Sequence, residues 1–152
     1  MSLEECINKV IIKNKQIFIL NNIDVEIDNL DKNVYSDSKW LEFILNQIIV
    51  NAIKYRNNKS PKVKVYIRDV KNGIKLIVED NGVGIPLDEL DRVFEKGFTG
   101  SLGRLNSKST GIGLYLCRKL CNKLGLLIDI ESEINSYTKV SITFPMGSFC
   151  KF

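Results

Sequence analysis

The sequence predicts an α+β protein, a two-layer sandwich in which helices cover one face of a mixed, mostly antiparallel sheet. Three observations carry that prediction. KVKVYIRDV and GIKLIVED alternate apolar and polar residues on either side of Lys71-Asn72-Gly73, the pattern of a β-hairpin. A long apolar run from Trp40 to Ile53 reads as a buried helix. A third stretch, a helix from Gly113 to about Lys123, leads into two further strand-like runs, LLIDIES and KVSITFP.

Taken in order, residues 3–13 have the periodicity of a short amphipathic helix. QIFIL and DVEID then read as two short strands around the turn-like NNI. Asp37 or Ser38 can cap a helix that starts near Lys39 and runs to about Tyr55. RNNKSP is a loop and the hairpin follows it. NGVGIP is a glycine-punctuated connection to a short helical piece around LDELDRVF. Residues 97–110, GFTGSLGRLNSKST, have no periodicity, and a structureless stretch of that length inside a compact domain is usually functional or disordered. No internal repeat and no linker divides the chain, so residues 1–152 are expected to form one domain, with 1–14 as a leading helix or linker.

Composition narrows the function. The 152 residues carry a net charge of +4 and no histidine. Histidine metal sites, histidine triads and histidine general bases are thereby excluded. The mild charge gives no reason to expect a nucleic-acid partner, yet it is unevenly spread: Lys96, Arg104, Lys108, Arg118, Lys119 and Lys123 fall in a stretch with no acid, a pole attractive to anions. Cys6, Cys117, Cys121 and Cys150 form no CxxC pair and read as reduced, core-packed thiols. No apolar run approaches the about 18 residues needed to span a bilayer, and the N-terminus does not resemble a signal peptide. Direct membrane contact is not expected.

The chemistry starts with an anomaly. The apolar helix carries Asn46, Gln47 and Asn51, and a buried carboxamide without a partner costs about 1–3 kcal/mol. Gln47, Asn51, Lys54 and Tyr55 share one helical stripe. Asn51 offers a hard oxygen suited to Mg²⁺, Lys54 a cation for phosphate and Tyr55 a flat surface for a base; the same amides also fit a reading as satisfied core groups. In EDNGVGIP, Asp80 ends a strand and Gly82 and Gly84 allow close backbone approach, though Asp and Asn also serve ordinary turns. In STGIGLYL, Gly111 and Gly113 precede a helix whose free N–H groups favour phosphate, though Ser-Thr-Gly is also a common cap. It is neither a Walker loop nor a dinucleotide fingerprint, because GK[ST] and the third glycine are missing.

In this order the motifs resemble a known family: the ATP-binding catalytic domain of sensor histidine kinases, within the superfamily of gyrase, chaperone, kinase and mismatch-repair ATPases. QIIVNAIKY is similar to its N box, DNGVG to its first glycine box, VFEKGFTG to its F box and GIGLYL to its second glycine box. The likeness runs from about residue 15 to Pro145. WLEFILNQIIVNAIKY and VFEKGFTGSLGR also resemble kinases of Gram-positive bacteria that sense envelope stress or antimicrobial peptides. The fold implied is the Bergerat type, and the cofactors are ATP and Mg²⁺. By the same resemblance Asn51 ligates the metal with Gln47 beside it, Lys54 meets a phosphate and Tyr55 packs on adenine. Asp80 binds the adenine amine in a pocket shaped by Gly82 and Gly84, and Thr138 holds a water or bonds near the base. Residues 97–110 are the ATP lid, where Phe98 borders the nucleotide and Arg104 or Lys108 reaches the γ-phosphate. Gly111, Ile112, Gly113 and Leu114 cradle the phosphates. The three amides of the helix are then satisfied by metal, water and nucleotide rather than by the core.

Gln47 bears on the reaction. Hydrolytic members of the superfamily, and its serine kinases, place a glutamate at this position, a carboxylate able to take a proton. Gln47 has no such basicity, which favours transfer to an already nucleophilic imidazole over an ATPase or serine kinase. A third reading is a nucleotide-binding scaffold without transfer. Since the chain has no histidine, the resemblance implies that the acceptor lies on a phosphoacceptor helical hairpin of the parent kinase, with a response regulator engaged indirectly. The piece is expected to be monomeric and to be the cytoplasmic domain of a membrane-anchored sensor kinase.

Overall fold

The computed structural model describes residues 1–28, 30–98 and 113–145. Arg104, Lys108, Gly111, Ile112 and Cys150, and most of the expected lid, lie outside the described residues.

The chain opens with helix α1 (Leu3–Lys13), capped by the Ser2 hydroxyl, which accepts the Glu5 N–H. Leu3, Cys6, Ile7 and Val10 form its buried stripe. QIFIL is not a strand: Lys15–Leu20 is a second helix, α2. The Phe18 N–H donates to the Asn14 carbonyl at 3.1 Å, and Phe18 is the buried residue of this segment while Ile17, Ile19 and Leu20 stay exposed. An apolar run this short fits either period, and the partner decides. Strand β1 (Asp24–Ile27) is the edge strand of the sheet and, among the described residues, pairs with β2 (Lys62–Val70) in parallel, so the expected hairpin with Gln16–Leu20 does not form.

Helix α3 (Ser38–Lys54) is capped by Asp37, whose Oδ1 accepts the Trp40 N–H at 3.1 Å. Leu41, Ile44, Leu45, Ile48, Ile49, Ala52 and Ile53 are its buried side. The hairpin is as expected: β2 turns through Lys71-Asn72 into β3 (Gly73–Asp80). A one-turn helix α4 (Leu87–Leu90), helix α5 (Gly113–Leu124), β4 (Leu127–Glu133) and β5 (Tyr137–Pro145) follow. Among the described residues the strands form one sheet in the order β1-β2-β3-β5-β4, antiparallel except for β1–β2.

Register decides what the sheet shows to each side. On the side facing the helices, Val65, Val78, Val140 and Ile130 make one row across four strands. The next row reads Val63, Asp80, Thr138 and Ser132. The apolar floor therefore turns polar within one row. On the opposite face Glu26, Lys64, Glu79, Lys139 and Glu131 alternate in sign from edge to edge, the arrangement in which cross-strand charges support one another. Cys6, Cys117 and Cys121 are buried free thiols, and burial pushes Cys6 and Cys117 up to about 12 and Cys121 to about 11. Among the described residues no three metal-ligating side chains come together, and no helix is long and apolar enough to cross a membrane.

One amide of the opening anomaly is settled inside the protein. Asn46 Oδ1 accepts a hydrogen bond from Asn14 Nδ2 at 2.9 Å, and the same amide donates to the Val10 carbonyl at 2.8 Å. The expectation that all three amides await a ligand is thus corrected for Asn46. Its partner sits 32 positions away, at the junction of α1 and α2, where no local pattern reveals it. Asn14 is 5% exposed, a polar side chain buried in this core. Replacing it with Ala removes both bonds and leaves Asn46 Oδ1 without its donor. The expected loss is about 1–3 kcal/mol, read as a lower urea midpoint at unchanged slope.

Candidate nucleotide site

The remaining amides behave differently. Gln47 and Asn51 lie one turn apart on the half-buried flank of α3, and among the described residues neither side chain has a hydrogen-bond partner. Gly113, the first residue of α5, approaches this flank closely: a Cβ built on it would stand 2.9 Å from Gln47 Oε1. Gln47 Oε1 thus faces the start of a 12-residue helix with no acid in its first turn, and Asn51 follows one turn along the same flank. That is a place where anionic groups are favoured. The donor set also fits a magnesium ion, which takes few protein oxygens and keeps several waters. Leu114 follows in the first turn of α5, half-buried.

At the far end of α3 the backbone joins this flank to the glycine loop. The Tyr55 carbonyl accepts the Val83 N–H at 3.0 Å. Lys54 Nζ stands 5.7 Å from the Tyr55 ring centroid, so its charge is on the same side as the ring. Asp80 ends β3 in the polar row. Its Oδ1 accepts the Gly82 N–H at 2.8 Å, while among the described residues no cation pairs with it. Burial raises its carboxyl to about 7; the Gly82 bond opposes that and neighbouring Glu79 adds to it. An aspartate held this way retains an acceptor oxygen for a ligand donor.

Gly84 has φ +75°, and a Cβ there would stand 2.7 Å from Ile134 Cα. Only glycine tolerates both conditions. The loop is tied to the β4–β5 turn twice, by Asn135 N–H to the Val83 carbonyl at 2.7 Å and by Ile85 N–H to Ser132 Oγ at 2.8 Å. Ser132 Oγ in turn lies 2.7 Å from the Tyr137 carbonyl and 2.8 Å from Thr138 Oγ1. Asp80, Gly82, Gly84 and Thr138 are therefore gathered at one end of the sheet, as the sequence suggests. Phe98 lies under the Arg92 guanidinium at 4.6 Å, and Phe94 under Arg118 of α5 at 5.0 Å.

Two residues here escaped the sequence reading. Ser132 is one. The other is Asn81, whose Oδ1 accepts the Lys62 N–H and whose Nδ2 donates to the Ser60 carbonyl, both at 2.8 Å, fastening the loop after α3 to the end of β3. The available signal for Ser132 was a hydroxyl at an inward position after Ile128 and Ile130, where alternation calls for another apolar residue.

A mixed sheet of this order with helices on one face is the fold of histidine kinase catalytic domains. The structure of the catalytic domain of histidine kinase ThkA superposes with a TM-score of 0.79 at 27% identity, covering 96% of this chain and 95% of that one. The mycobacterial sensor histidine kinase MprB shares the fold with a TM-score of 0.81 at 22% identity, covering 95% and 96% of the two chains. The chain belongs to the family described as histidine kinase-, DNA gyrase B-, and HSP90-like ATPases, which it matches over residues 36–148. It is 36% identical to the sensor histidine kinase YxdK of Bacillus subtilis over 145 residues, 95% of this chain and 45% of the relative. To the sensor protein BceS of the same organism it is 38% identical over 128 residues, 84% of this chain and 38% of the relative. The chain thus spans less than half the length of these relatives.

Proposed function

We propose that this chain binds Mg-ATP through the α3 flank, the glycine loop and the start of α5, and donates the γ-phosphoryl group to a histidine on a separate helical hairpin of its parent kinase. The parent would be a membrane-anchored sensor of envelope stress or antimicrobial peptides, with this domain on the cytoplasmic side and a response regulator downstream. The observation that supports the reading is Asp80, a half-buried carboxylate with no cation paired to it among the described residues, at the end of a polar row. A 6-amino purine supplies the donor that such a group lacks.

In this reading Asn51 holds the metal and Gln47 supports the water or phosphate beside it. The metal, when bound, neutralises charge on the β- and γ-phosphates. Lys54, Gly111 and Ile112, and the first turn of α5 at Gly113 and Leu114 receive the phosphates, Tyr55 and Phe98 border the nucleotide, and Arg104 or Lys108 meets the γ-phosphoryl group. Gln47 cannot take a proton from water as a carboxylate does, which weighs against the ATPase and serine-kinase readings. The domain's part is positioning and electrostatic stabilisation; the acceptor imidazole brings its own nucleophilicity.

Calorimetry of ATP and ADP with and without Mg²⁺, alongside phosphate release and transfer to the parent's separately prepared hairpin, tests this. Mg²⁺-dependent binding, negligible release and acid-labile phosphate on the hairpin are expected. Steady hydrolysis without transfer would favour an ATPase, and absence of binding would sink the reading.

Affinity should also depend on pH in a stated direction. The amine needs an anionic acceptor, and the empty protein holds a proton on Asp80 up to about pH 7. ADP affinity is expected to fall about tenfold from pH 8 to pH 6, and Asp80→Asn should lose that dependence. In the empty protein the linkage has the opposite consequence. Folding stability from this group falls as pH rises from 3.8 to about 7, because the folded state keeps a proton that the unfolded chain has released.

A further inference from the structure

The hydroxyl of Ser132 has three polar neighbours and one proton. The Ile85 N–H points into it at 2.8 Å and can only donate. The Tyr137 carbonyl, at 2.7 Å, can only accept, so the Ser132 proton belongs there. Thr138 Oγ1 lies 2.8 Å away on the cross-strand partner of Ser132. With the Ser132 proton already used, this contact closes only if Thr138 donates. The opposite assignment would leave the Tyr137 carbonyl facing a lone pair at bonding distance.

We infer that Ser132 is a positioning residue for base selection: it takes up the single Thr138 proton, so that Thr138 presents only lone pairs beside Asp80, its partner across β3 and β5. This rests on the nucleotide reading given above. Two neighbouring oxygens that accept and cannot donate suit the 6-amino group of adenine, directly or through a water. They oppose a purine with a 6-oxo group, which is itself an acceptor. Ser132 also receives the Ile85 N–H, so the strand carrying the selector and the glycine loop after Asp80 share one anchor.

The test compares ADP with inosine diphosphate, which differs at the 6-position, by calorimetry at fixed Mg²⁺ and pH 8. The wild type is expected to prefer ADP. In Ser132→Ala the Thr138 hydroxyl is free to turn and donate to a 6-oxo group, so the ADP-to-IDP affinity ratio should fall about three- to tenfold. Ser132→Thr, which keeps the hydroxyl, should restore it. In a Thr138→Val background the Ser132→Ala change should leave the ratio unaltered, since there is no hydroxyl left to orient. A merely structural role for Ser132 would weaken both nucleotides alike, and an unchanged ratio in a folded Ser132→Ala protein overturns the inference. Should Ser132→Ala not fold, a Ser132→Thr protein with a ratio differing from wild type by more than threefold would overturn it instead. Absence of ADP binding to the wild type is a separate result and removes the nucleotide reading itself.

Discussion

Asp80→Asn is expected to lower ADP and ATP affinity about 10- to 100-fold while making the empty protein more stable. The carboxylate has two acceptor oxygens, one engaged by the Gly82 N–H at 2.8 Å and one left for the amine. Asparagine has one. If its oxygen meets Gly82, its amide N–H₂ faces the ligand's own donor, and turning it round moves the clash to Gly82. Hydrogen bonds to charged groups are worth about 1.5–3 kcal/mol, which sets the range. Stability moves the other way because burial works against the Asp80 anion, and asparagine has no charge to desolvate. The unfolding midpoint should rise most at pH 8 and less at pH 5, where the folded state keeps its proton but the unfolded chain has already released its own. Calorimetry paired with thermal melts at both pH values reads both effects. A stability loss at pH 8 would mean that Asp80 is a structural group.

The second large effect is expected at Gly84. An alanine there would have to hold φ near +75°, at about 1–2 kcal/mol. Its Cβ would also press on the Glu133 carbonyl and stand 2.7 Å from Ile134 Cα. Either the loop or the β4–β5 turn must move, and the Asn135 N–H bond to Val83 goes with it. The combined loss should be about 2–4 kcal/mol, with nucleotide binding gone even where the variant is folded. Gly125 is the control. It too has positive φ, +73°, but nothing lies within 4 Å of the position its Cβ would take. Gly125→Ala should cost only the backbone part, about 1–2 kcal/mol, and leave binding intact. Urea titration of both variants separates the two contributions.

Much of this was legible before any coordinates, and the boundary is physical. The β2–β3 hairpin and α3 were readable because each is specified by its own residues: an alternating pair around a two-residue turn, and an apolar stripe behind an aspartate cap. Asp80 and the glycines were readable because the loop after β3 breaks the strand periodicity where it occurs. Gln16–Leu20 was not, since Ile17, Phe18 and Ile19 suit either state and the burial of Phe18 from a helical turn is a tertiary choice. Asn46 and Ser132 were hidden for a related reason. Their partners, Asn14 and Thr138, come from other elements, and only the packing of α1 on α3 or the register of β4 on β5 brings them together. Candidate ligand groups are more readily legible in a sequence than the groups that hold them in place.

The polar row that ends the sheet's inner face has a consequence for quality control. Asp80 and Thr138 are opposite one another through the same pairing that sets Val78 against Val140 and Leu76 against Ile142. A slip of one residue between β3 and β5 would turn the apolar side chains of one strand outward and separate the two oxygens in the same step. Misassembled molecules would therefore be unstable as well as inactive. A cell would not accumulate a long-lived, correctly sized but misregistered copy of this domain, because the error that parts the two oxygens also exposes the chain to proteolysis.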